Sequence, residues 1–142
     1  MTRKVLTVTI NHAVDVTTEV EALAPKKKLR CETPRFDPGG GGVNVARAIR
    51  TLGGDVCAFV VAGGESGRFL RDLCGAEGLD TVWFDIEGRT RELLKVRERG
   101  SGDIYRFMLP GPEIELCGNL GDAAIRRRAG STSGSPRPRH GR

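Results

Sequence analysis

The amino-acid sequence predicts an α/β fold: a partial parallel sheet with flanking helices, accompanied by a second, smaller sheet that stands off it. Three observations lead to this fold class. Strand-type and helix-type segments alternate from Val5 to Phe84, which is the pattern of a parallel α/β sheet. Within that region Val56–Ala62 is apolar without alternation, as in a strand covered on both faces. Two strand-type stretches then surround the turn Gly100–Asp103, which predicts an antiparallel hairpin over 91–109.

The first part of the chain is predicted to contain a strand, an extended polar stretch and a helix. The strand is Val5–Ile10, and the polar, strand-prone stretch covers 16–36. Pro38–Gly42 is predicted to be a turn that opens the helix, and Gly53 and Gly54 are predicted to end it. The helical spacing of apolar residues predicts one inward face, which comprises Val45, Ala46, Ala48, Ile49 and Leu52.

A second helix is predicted to begin at Ser66, whose hydroxyl suits an N-cap, and to end at Gly78. The next strand is predicted at Thr81–Phe84. The polar stretch 16–36 and the hairpin 91–109 are expected to form the second sheet. The inward side of the second helix is predicted to comprise Phe69, Leu70 and Leu73.

Length and composition place the chain among small globular proteins. Its 142 residues are enough for one domain, and 38% hydrophobic and 29% charged residues are ordinary values. The sequence has no apolar run of about 18 residues and no signal-type N-terminus, so we expect no membrane contact and a cytoplasmic location. The four cysteines are widely spread, which favours reduced structural thiols and gives no clustered metal ligands.

The net charge of +5 comes from the C-terminal segment. Six of the 23 basic residues lie in 126–142, which has no acidic residue, so 1–125 holds 17 basic and 18 acidic side chains. Because 126–142 has no aromatic residue for base stacking, nucleic-acid binding is disfavoured. Gly, Ser, Pro and Arg dominate this end, which predicts a disordered tail at 117–142 after a domain at 1–116.

The strongest local signal for chemistry is the run Pro38–Ala48. Its consecutive glycines let a ligand approach the backbone, and the first amides of the following helix present a positive dipole end. Asn44 adds a donor and an acceptor suited to a hydroxyl-rich ligand. Neither the P-loop pattern nor G-x-G-x-x-G is present. The alternative is a flexible turn that only starts a helix.

Four charged residues outside this run are further candidates. Asp15 follows the first predicted strand, at the edge where open parallel sheets bind ligands, and its carboxylate can accept hydrogen bonds from vicinal hydroxyls. Arg91 and Arg106 lie on opposite arms of the hairpin, and Lys28 lies in the earlier polar stretch. Cations on such a sheet could hold a phosphate over the site. The alternatives are a turn aspartate and solvated edge cations.

Several short blocks occur in order along the chain: Lys28–Cys31, Phe36–Ile49, Leu52–Gly54, Ala62–Gly64, Thr90–Arg91, Tyr105–Phe107 and Pro110–Gly111. Together they resemble the N-terminal half of the pfkB family of ribokinase-like carbohydrate kinases, and within it the phosphofructokinase type. The resemblance runs from about Val5 to Glu115, and the glycine-rich helix start is its most specific part. Gly41 stands where many relatives carry lysine, which favours the fructose 6-phosphate type.

This resemblance implies a ribokinase-like fold, with a β-sheet lid that covers a sugar site and often forms the contact of a homodimer. An aspartate, two glycines and an asparagine line the sugar, while cations of the lid contact the sugar or its phosphate. ATP and Mg²⁺ are the cofactors implied for a full-length member, and fructose 6-phosphate is the expected substrate. The implied substrate-binding residues are Asp15, Lys28, Gly39, Gly40, Asn44, Arg91 and Arg106.

The resemblance also implies what is missing. The family's catalytic aspartate, in a G-A-G-D motif, and most of its ATP site lie in the C-terminal half, and G-A-G-D occurs nowhere in the 142 residues. No catalytic residue is therefore assigned. Two hypotheses stay open: a truncated or frameshifted kinase of glycolysis that keeps its sugar-binding half, or a non-catalytic sugar-phosphate-binding or dimerising module. A G-A-G-D segment encoded just downstream would favour the first.

Overall fold

The structure, a computed structural model, describes residues 4–113. The predicted tail at 117–142 and the predicted domain boundary after residue 116 lie outside the described residues. Within 4–113 the elements form two sheets and two helices. They are β1 Val5–Thr9, β2 Ala13–Val20, β3 Arg35–Gly39, α1 Gly41–Thr51, β4 Val56–Gly63, α2 Gly64–Ala76, β5 Thr81–Ile86, β6 Arg91–Glu98 and β7 Ile104–Met108.

The first sheet is parallel, and its strand order is β1-β4-β5. The central strand β4 contains the apolar run Val56–Ala62, in which every residue is buried except the half-buried Phe59. This confirms the predicted buried, non-alternating strand. The strands pair in parallel because α1 lies in the connection from β1 to β4 and α2 lies in the connection from β4 to β5. A crossover that contains a helix returns the chain to the same end of the sheet. The predicted α/β class is therefore correct.

Helices α1 and α2 pack on one face of this parallel sheet. Val43 and Ala46 of α1 and Leu70 and Cys74 of α2 are buried there against β4. The opposite face, called the open face below, presents the alternate residues Leu6, Val8, Ile10, Phe59 and Phe84. No element within 4–113 covers the open face, and Leu6, Val8 and Ile10 are 61%, 60% and 63% exposed.

The second sheet, called the lid sheet below, has the order β3-β2-β6-β7. Strand β2 pairs antiparallel with β3 and parallel with β6, and β6 and β7 form an antiparallel hairpin. This confirms the predicted hairpin and the predicted second sheet. The buried residue Val14 of β2 joins the hydrophobic core, so the lid sheet is anchored to the parallel sheet at one end.

The predicted bounds of the polar stretch and of the glycine turn were wrong. The strand expected to start near residue 16 is β2, which starts at Ala13, while 21–34 contains neither helix nor strand. Pro38 and Gly39 are the last residues of β3 rather than part of a turn. Pro38 was misassigned because its missing N–H usually marks a turn; here it lies on β3, an edge strand, where proline is tolerated.

The predicted inward face of α1 was also wrong in part. The buried residues are Gly42, Val43 and Ala46, whereas Val45 is exposed and Leu52, just past the helix, is 87% exposed. Helical spacing marks two overlapping apolar stripes on this helix, and only contact with β1 and β4 decides which one is covered. Ile49, which belongs to both, packs partly against the core.

The start of α2 differs from the prediction. The helix begins at Gly64 with Gly63 as its N-cap, so Ser66 lies inside the first turn. Ser66 is buried, and its hydroxyl donates to the carbonyl of Thr90 at 2.6 Å. A hydroxyl that finds a backbone acceptor across the fold no longer caps its own helix. Phe69, predicted to face inward, is exposed and packs edge-on against Phe36 of β3, with ring centroids 5.3 Å apart.

The described cysteines differ in environment. Cys31 is exposed, whereas Cys57 and Cys74 are buried, and all three are free thiols; Cys117 lies outside the described residues. Burial raises the pKa of Cys74 to about 11, so its thiol is protonated at neutral pH. No helix within 4–113 is long and apolar enough to cross a membrane.

Candidate ligand-binding site

The glycine run connects the lid sheet to α1, and one of its positions requires glycine. Gly40, between β3 and α1, has φ +116°, a backbone conformation that residues with a side chain rarely adopt. A Cβ at this position would also lie 2.6 Å from Nδ1 of His12. The sharp change of direction from β3 into α1 therefore depends on glycine for two independent reasons.

Asp15 lies against this turn. It is inside β2, not just past the first strand as predicted, because only three residues connect the end of β1 to the start of β2. Its Oδ1 is so close to Gly39 that a Cβ there would overlap the carboxylate. The strand register explains this contact, since Gly39 is the partner of Ala13, two residues before Asp15. The backbone of β3 thus presses directly against a carboxylate whose side chain is 13% exposed.

Lys95 completes the surroundings of Asp15. Its Nζ donates to Oδ2 of Asp15 at 2.7 Å, from the neighbouring strand β6. Sequence analysis did not identify Lys95. Its alternation with Arg91 along β6 places both on one side of the hairpin, but the two partners are 80 residues apart. The parallel pairing of β2 with β6 is what brings them together.

Arg91 lies on the other side of β2 from the glycine turn. It is the partner of Ala13 on β6, while Gly39 is the partner of Ala13 on β3. One Nη of Arg91 donates to the carbonyl of Asn11 at 3.3 Å, and its Nε is buried without an acceptor among residues 4–113. A buried donor without an acceptor is unusual. The Nε and an Nη form the fork with which arginine binds phosphate or carboxylate oxygens.

The other predicted residues lie further from Asp15. Arg106 is exposed on β7, directly opposite Lys95 and on the same face of the lid sheet. Asn44 is exposed in the first turn of α1, where its backbone N–H donates to the carbonyl of Gly40 at 2.9 Å. Lys28 is exposed in the connection 21–34 and forms no hydrogen bond or ion pair within 4–113. The structure therefore groups Asp15, Gly39, Gly40 and Arg91, with Arg106 one strand further and Lys28 in a separate loop.

His12 packs against the glycine turn, and the sequence analysis did not identify it as part of the site. It is buried, with Nδ1 3.4 Å from the carbonyl oxygen of Gly39 and Nε2 3.3 Å from that of Phe59. Burial lowers the pKa of His12, although the two carbonyls favour the charged ring. The neutral ring has one N–H and can donate to only one of these two carbonyls at a time, and it packs between the end of β3 and β4.

A separate cleft of about 210 Å³ lies on the other face of the lid sheet, where β2 and β3 meet α2. Val14, Phe36, Ser66 and Phe69 are among its lining residues, and Asp15 is not. The predicted ligand residues therefore do not share this cleft. Within 4–113, no three His, Cys, Asp or Glu side chains are grouped so that they could hold a metal ion.

Comparison with known proteins relates this geometry to one family. Residues 4–115 match the family described as pfkB family carbohydrate kinase. The chain is 44% identical over 114 residues to ATP-dependent 6-phosphofructokinase isozyme 2 of Mycobacterium tuberculosis, which covers 80% of this chain and 34% of that protein. It is 34% identical over 114 residues to 1-phosphofructokinase of Haloferax volcanii, which covers 80% of this chain and 37% of that protein. The chain thus spans about a third of the length of these relatives.

Solved structures of the phosphofructokinase-2 of Escherichia coli show the same fold. The crystal structure in complex with fructose-6-phosphate aligns with a TM-score of 0.74 and 41% identity, covering 78% of this chain and 36% of that one. A structure of the tetrameric inhibited form aligns with a TM-score of 0.72 and the same identity and coverage. The ribokinase-like architecture implied by the sequence is thereby confirmed, as is the resemblance to the phosphofructokinase type.

Proposed function

Because the chain belongs to the pfkB family of carbohydrate kinases, we propose that it is the sugar-phosphate-binding part of an ATP-dependent sugar-phosphate kinase of glycolysis, with fructose 6-phosphate as its ligand. The identity of 44% and 41% to two 6-phosphofructokinases, over 114 and 111 residues, favours this substrate. A cytoplasmic location, as expected for glycolysis, is part of the same proposal.

One observation carries the proposal: a carboxylate and a guanidinium with an unused N–H donor lie close together on one face of the lid sheet, because Arg91 is the partner of Ala13, two residues before Asp15. Asp15 is pressed against Gly39, and the buried Nε of Arg91 has no acceptor within 4–113. A carboxylate accepts hydrogen bonds from two vicinal hydroxyls, and an arginine fork donates to phosphate oxygens. A phosphorylated sugar presents both kinds of group.

The remaining predicted residues extend this site. Gly40 lets the ligand approach the backbone before α1, where the helix begins with its positive dipole end. Asn44 offers an exposed amide in the first helical turn, and Arg106 adds a cation across from Lys95. Lys28 joins the site in this proposal when the connection 21–34 folds over a bound ligand.

The proposed reaction transfers a phosphoryl group from ATP to the sugar phosphate, and this part of the proposal needs more than the present chain. The G-A-G-D motif is absent from the sequence, and the chain spans about a third of its relatives. The described residues also do not fit Mg²⁺, since 4–113 contains no grouped metal ligands. We assign ATP and Mg²⁺ to the remainder of a full-length kinase.

A homodimer through the lid sheet is the proposed assembly. Strand β7 is an edge of that sheet, and its exposed apolar side chains occur on both faces. An apolar edge strand with unpaired backbone groups is a ready surface for a second copy. The residues concerned are Ile104, Tyr105, Phe107 and Met108, followed by Leu109.

A second candidate function is a non-catalytic module that binds a sugar phosphate or dimerises. The observation in its favour is that 4–113 holds a four-stranded lid sheet and the grouped ligand residues. The two candidates share the binding site and differ only in turnover. An ATP-dependent product formed by the purified chain would exclude the module.

Calorimetric titration of the 142-residue chain with fructose 6-phosphate tests the binding site, with ATP turnover assayed on the same sample. We expect binding, and at least about a tenfold weaker affinity for Asp15→Ala, since it loses charged hydrogen bonds. Asp72→Ala is the matched control, because Asp72 is exposed on α2 and forms no ion pair within 4–113. A folded chain that binds no sugar phosphate, or an Asp15→Ala variant that binds as tightly as Asp72→Ala, would contradict the proposal.

A further inference from the structure

The face of the lid sheet that carries Asp15 is strongly charged. Alternate residues of β3, β2, β6 and β7 point to this face, and strand register fixes which ones they are. The face holds three carboxylates and five cations, which is an excess of two positive charges. The carboxylates are Asp15, Glu19 and Asp37, and the cations are Arg35, Arg91, Lys95, Arg97 and Arg106.

Each carboxylate on this face has its own cation. Asp37 pairs with Arg35 at 2.9 Å, and Asp15 pairs with Lys95 at 2.7 Å. Glu19 is bound by Arg97 at 3.6 Å and also by Arg99, just after β6, at 3.0 Å. The excess therefore resides on Arg91 and Arg106, which form no ion pair with a carboxylate within 4–113.

The positions of Arg91 and Arg106 relative to Lys95 are fixed by the sheet. Arg106 is the direct cross-strand partner of Lys95, and Arg91 lies four residues before Lys95 on β6. Both unpaired cations therefore flank the Asp15–Lys95 pair on one surface. A phosphate monoester carries roughly −1.5 to −2 charges at neutral pH, which matches the excess of two.

We propose that Lys95 is a specificity-determining residue, which neutralises Asp15 so that a site for sugar hydroxyls also accepts a phosphate group held by Arg91 and Arg106. This inference rests on the proposed function, and it explains how the site would prefer a phosphorylated sugar to a free sugar. Without Lys95, the poorly exposed Asp15 carboxylate would repel a phosphate dianion at short range, where little water screens the charges. Lys95 is 30% exposed and has three N–H donors, of which Asp15 takes one.

A purely positioning role for Lys95 makes a different prediction. If Lys95 only fixed the Asp15 side chain, its removal would weaken every ligand that uses the Asp15 carboxylate, including an uncharged sugar. Charge compensation instead affects the phosphorylated ligand selectively. The ratio of the two dissociation constants therefore separates the roles.

The test is an NMR titration of the full 142-residue chain with fructose 6-phosphate and, separately, with fructose. For Lys95→Met we expect the Kd for fructose 6-phosphate to rise about tenfold, and the Kd for fructose to change by less than about twofold. Lys95→Arg keeps the charge and should keep the wild-type ratio. Arg97→Met is the matched control: it removes one cation from the same strand and face, and Glu19 keeps Arg99.

If Lys95→Met leaves the ratio of the two dissociation constants unchanged, because the affinity for both sugars falls equally or not at all, the inference is overturned and the proposed function stays intact. If Lys95→Met does not fold, Arg106→Met decides, because Arg106 is exposed on the edge strand; it must weaken fructose 6-phosphate more than fructose. If the ratio of the Kd for fructose 6-phosphate to the Kd for fructose rises as much in Arg97→Met as in Lys95→Met, the inference is also overturned, since any cation would then serve. A wild-type chain that binds neither ligand would overturn the proposed function and this inference with it.

Discussion

The two sheets of this molecule differ in the side chains that their exposed faces present. The parallel sheet is packed against α1 and α2 on one face and presents Leu6, Val8 and Ile10 to solvent on the other. The lid sheet instead presents a charged face whose carboxylates are all paired within the same chain. The ligand residues are thus positioned by contacts that 4–113 provides by itself, whereas the burial of the parallel sheet is only half complete.

This contrast indicates which face of the parallel sheet contributes most to the stability of the chain. Parallel strands are almost always covered on both faces, because apolar side chains on each face must leave water. Full burial of a Val, Leu or Ile side chain stabilises a fold by roughly 1.5–3 kcal/mol, and the open face forgoes much of this for several residues. We therefore expect the packed face to carry most of the folding free energy, and the open face to contribute little.

The sharpest test of this contrast is Leu70→Ala. Leu70 is fully buried between α2 and β4, so its truncation should cost about 2–5 kcal/mol, from lost burial and from the cavity left behind. Leu52→Ala is the matched control, because Leu52 is almost fully exposed. Urea denaturation followed by circular dichroism gives both values. Similar losses for the two variants would contradict the assigned core.

The junction between the two sheets is tested by Gly40→Ala. We expect a loss of more than about 1–3 kcal/mol, because the variant adds a contact with His12 to the cost of a left-handed backbone. Gly102→Ala is the comparison for a positive-φ glycine in open space, since Gly102 has φ +82° and a methyl group added there would meet nothing within 4 Å. The difference between their unfolding free energies measures what the His12 contact and the conformation of Gly40, at φ +116° and ψ +143°, add together. Equal values would contradict a special requirement for glycine at this junction.

The stability of the fold should depend on pH through His12, which lies at the same junction. Burial lowers the pKa of His12 in the folded state, so the unfolded chain binds a proton more readily. The stability that the neutral His12 contributes is fully present above the ordinary histidine pKa. It is lost as the pH falls below that value towards the lowered pKa of His12 in the folded state. We expect a lower urea midpoint at pH 5.5 than at pH 7.5. His12→Gln should remove this change, and an undiminished pH effect in that variant would assign it to other groups.

The smallest effect on stability is expected on the open face. Val8→Ser should change the unfolding free energy by less than about 0.5 kcal/mol, because Val8 is mostly exposed. It should reduce self-association, since large exposed apolar patches promote it. Sedimentation velocity of the wild type and the variant measures this. Val60→Ser, on the buried β4, is the contrasting control and should unfold the chain.

Part of the site could be predicted because it depends on local sequence. Gly39 and Gly40 were identified from the glycine run itself, and Asp15 from its place after the first strand, although Asp15 lies inside β2 rather than in a connection. Arg91 and Arg106 followed from the hairpin, whose turn residues are adjacent in sequence. Lys95 and His12 could not be found this way, since each acts through residues at least 27 positions away.

The amino-acid sequence was enough to predict the α/β class, the buried strand at Val56–Ala62, the hairpin and the family, because these depend on periodicity, turn residues and ordered motifs. The folded structure was needed to show that Asp15 lies inside β2, that Lys95 binds it, and which stripe of α1 is buried. Such contacts join residues that strand pairing and helix packing bring together. A local sequence pattern indicates that a side chain is buried or charged, whereas the pairing of strands and the packing of helices determine which residue it contacts.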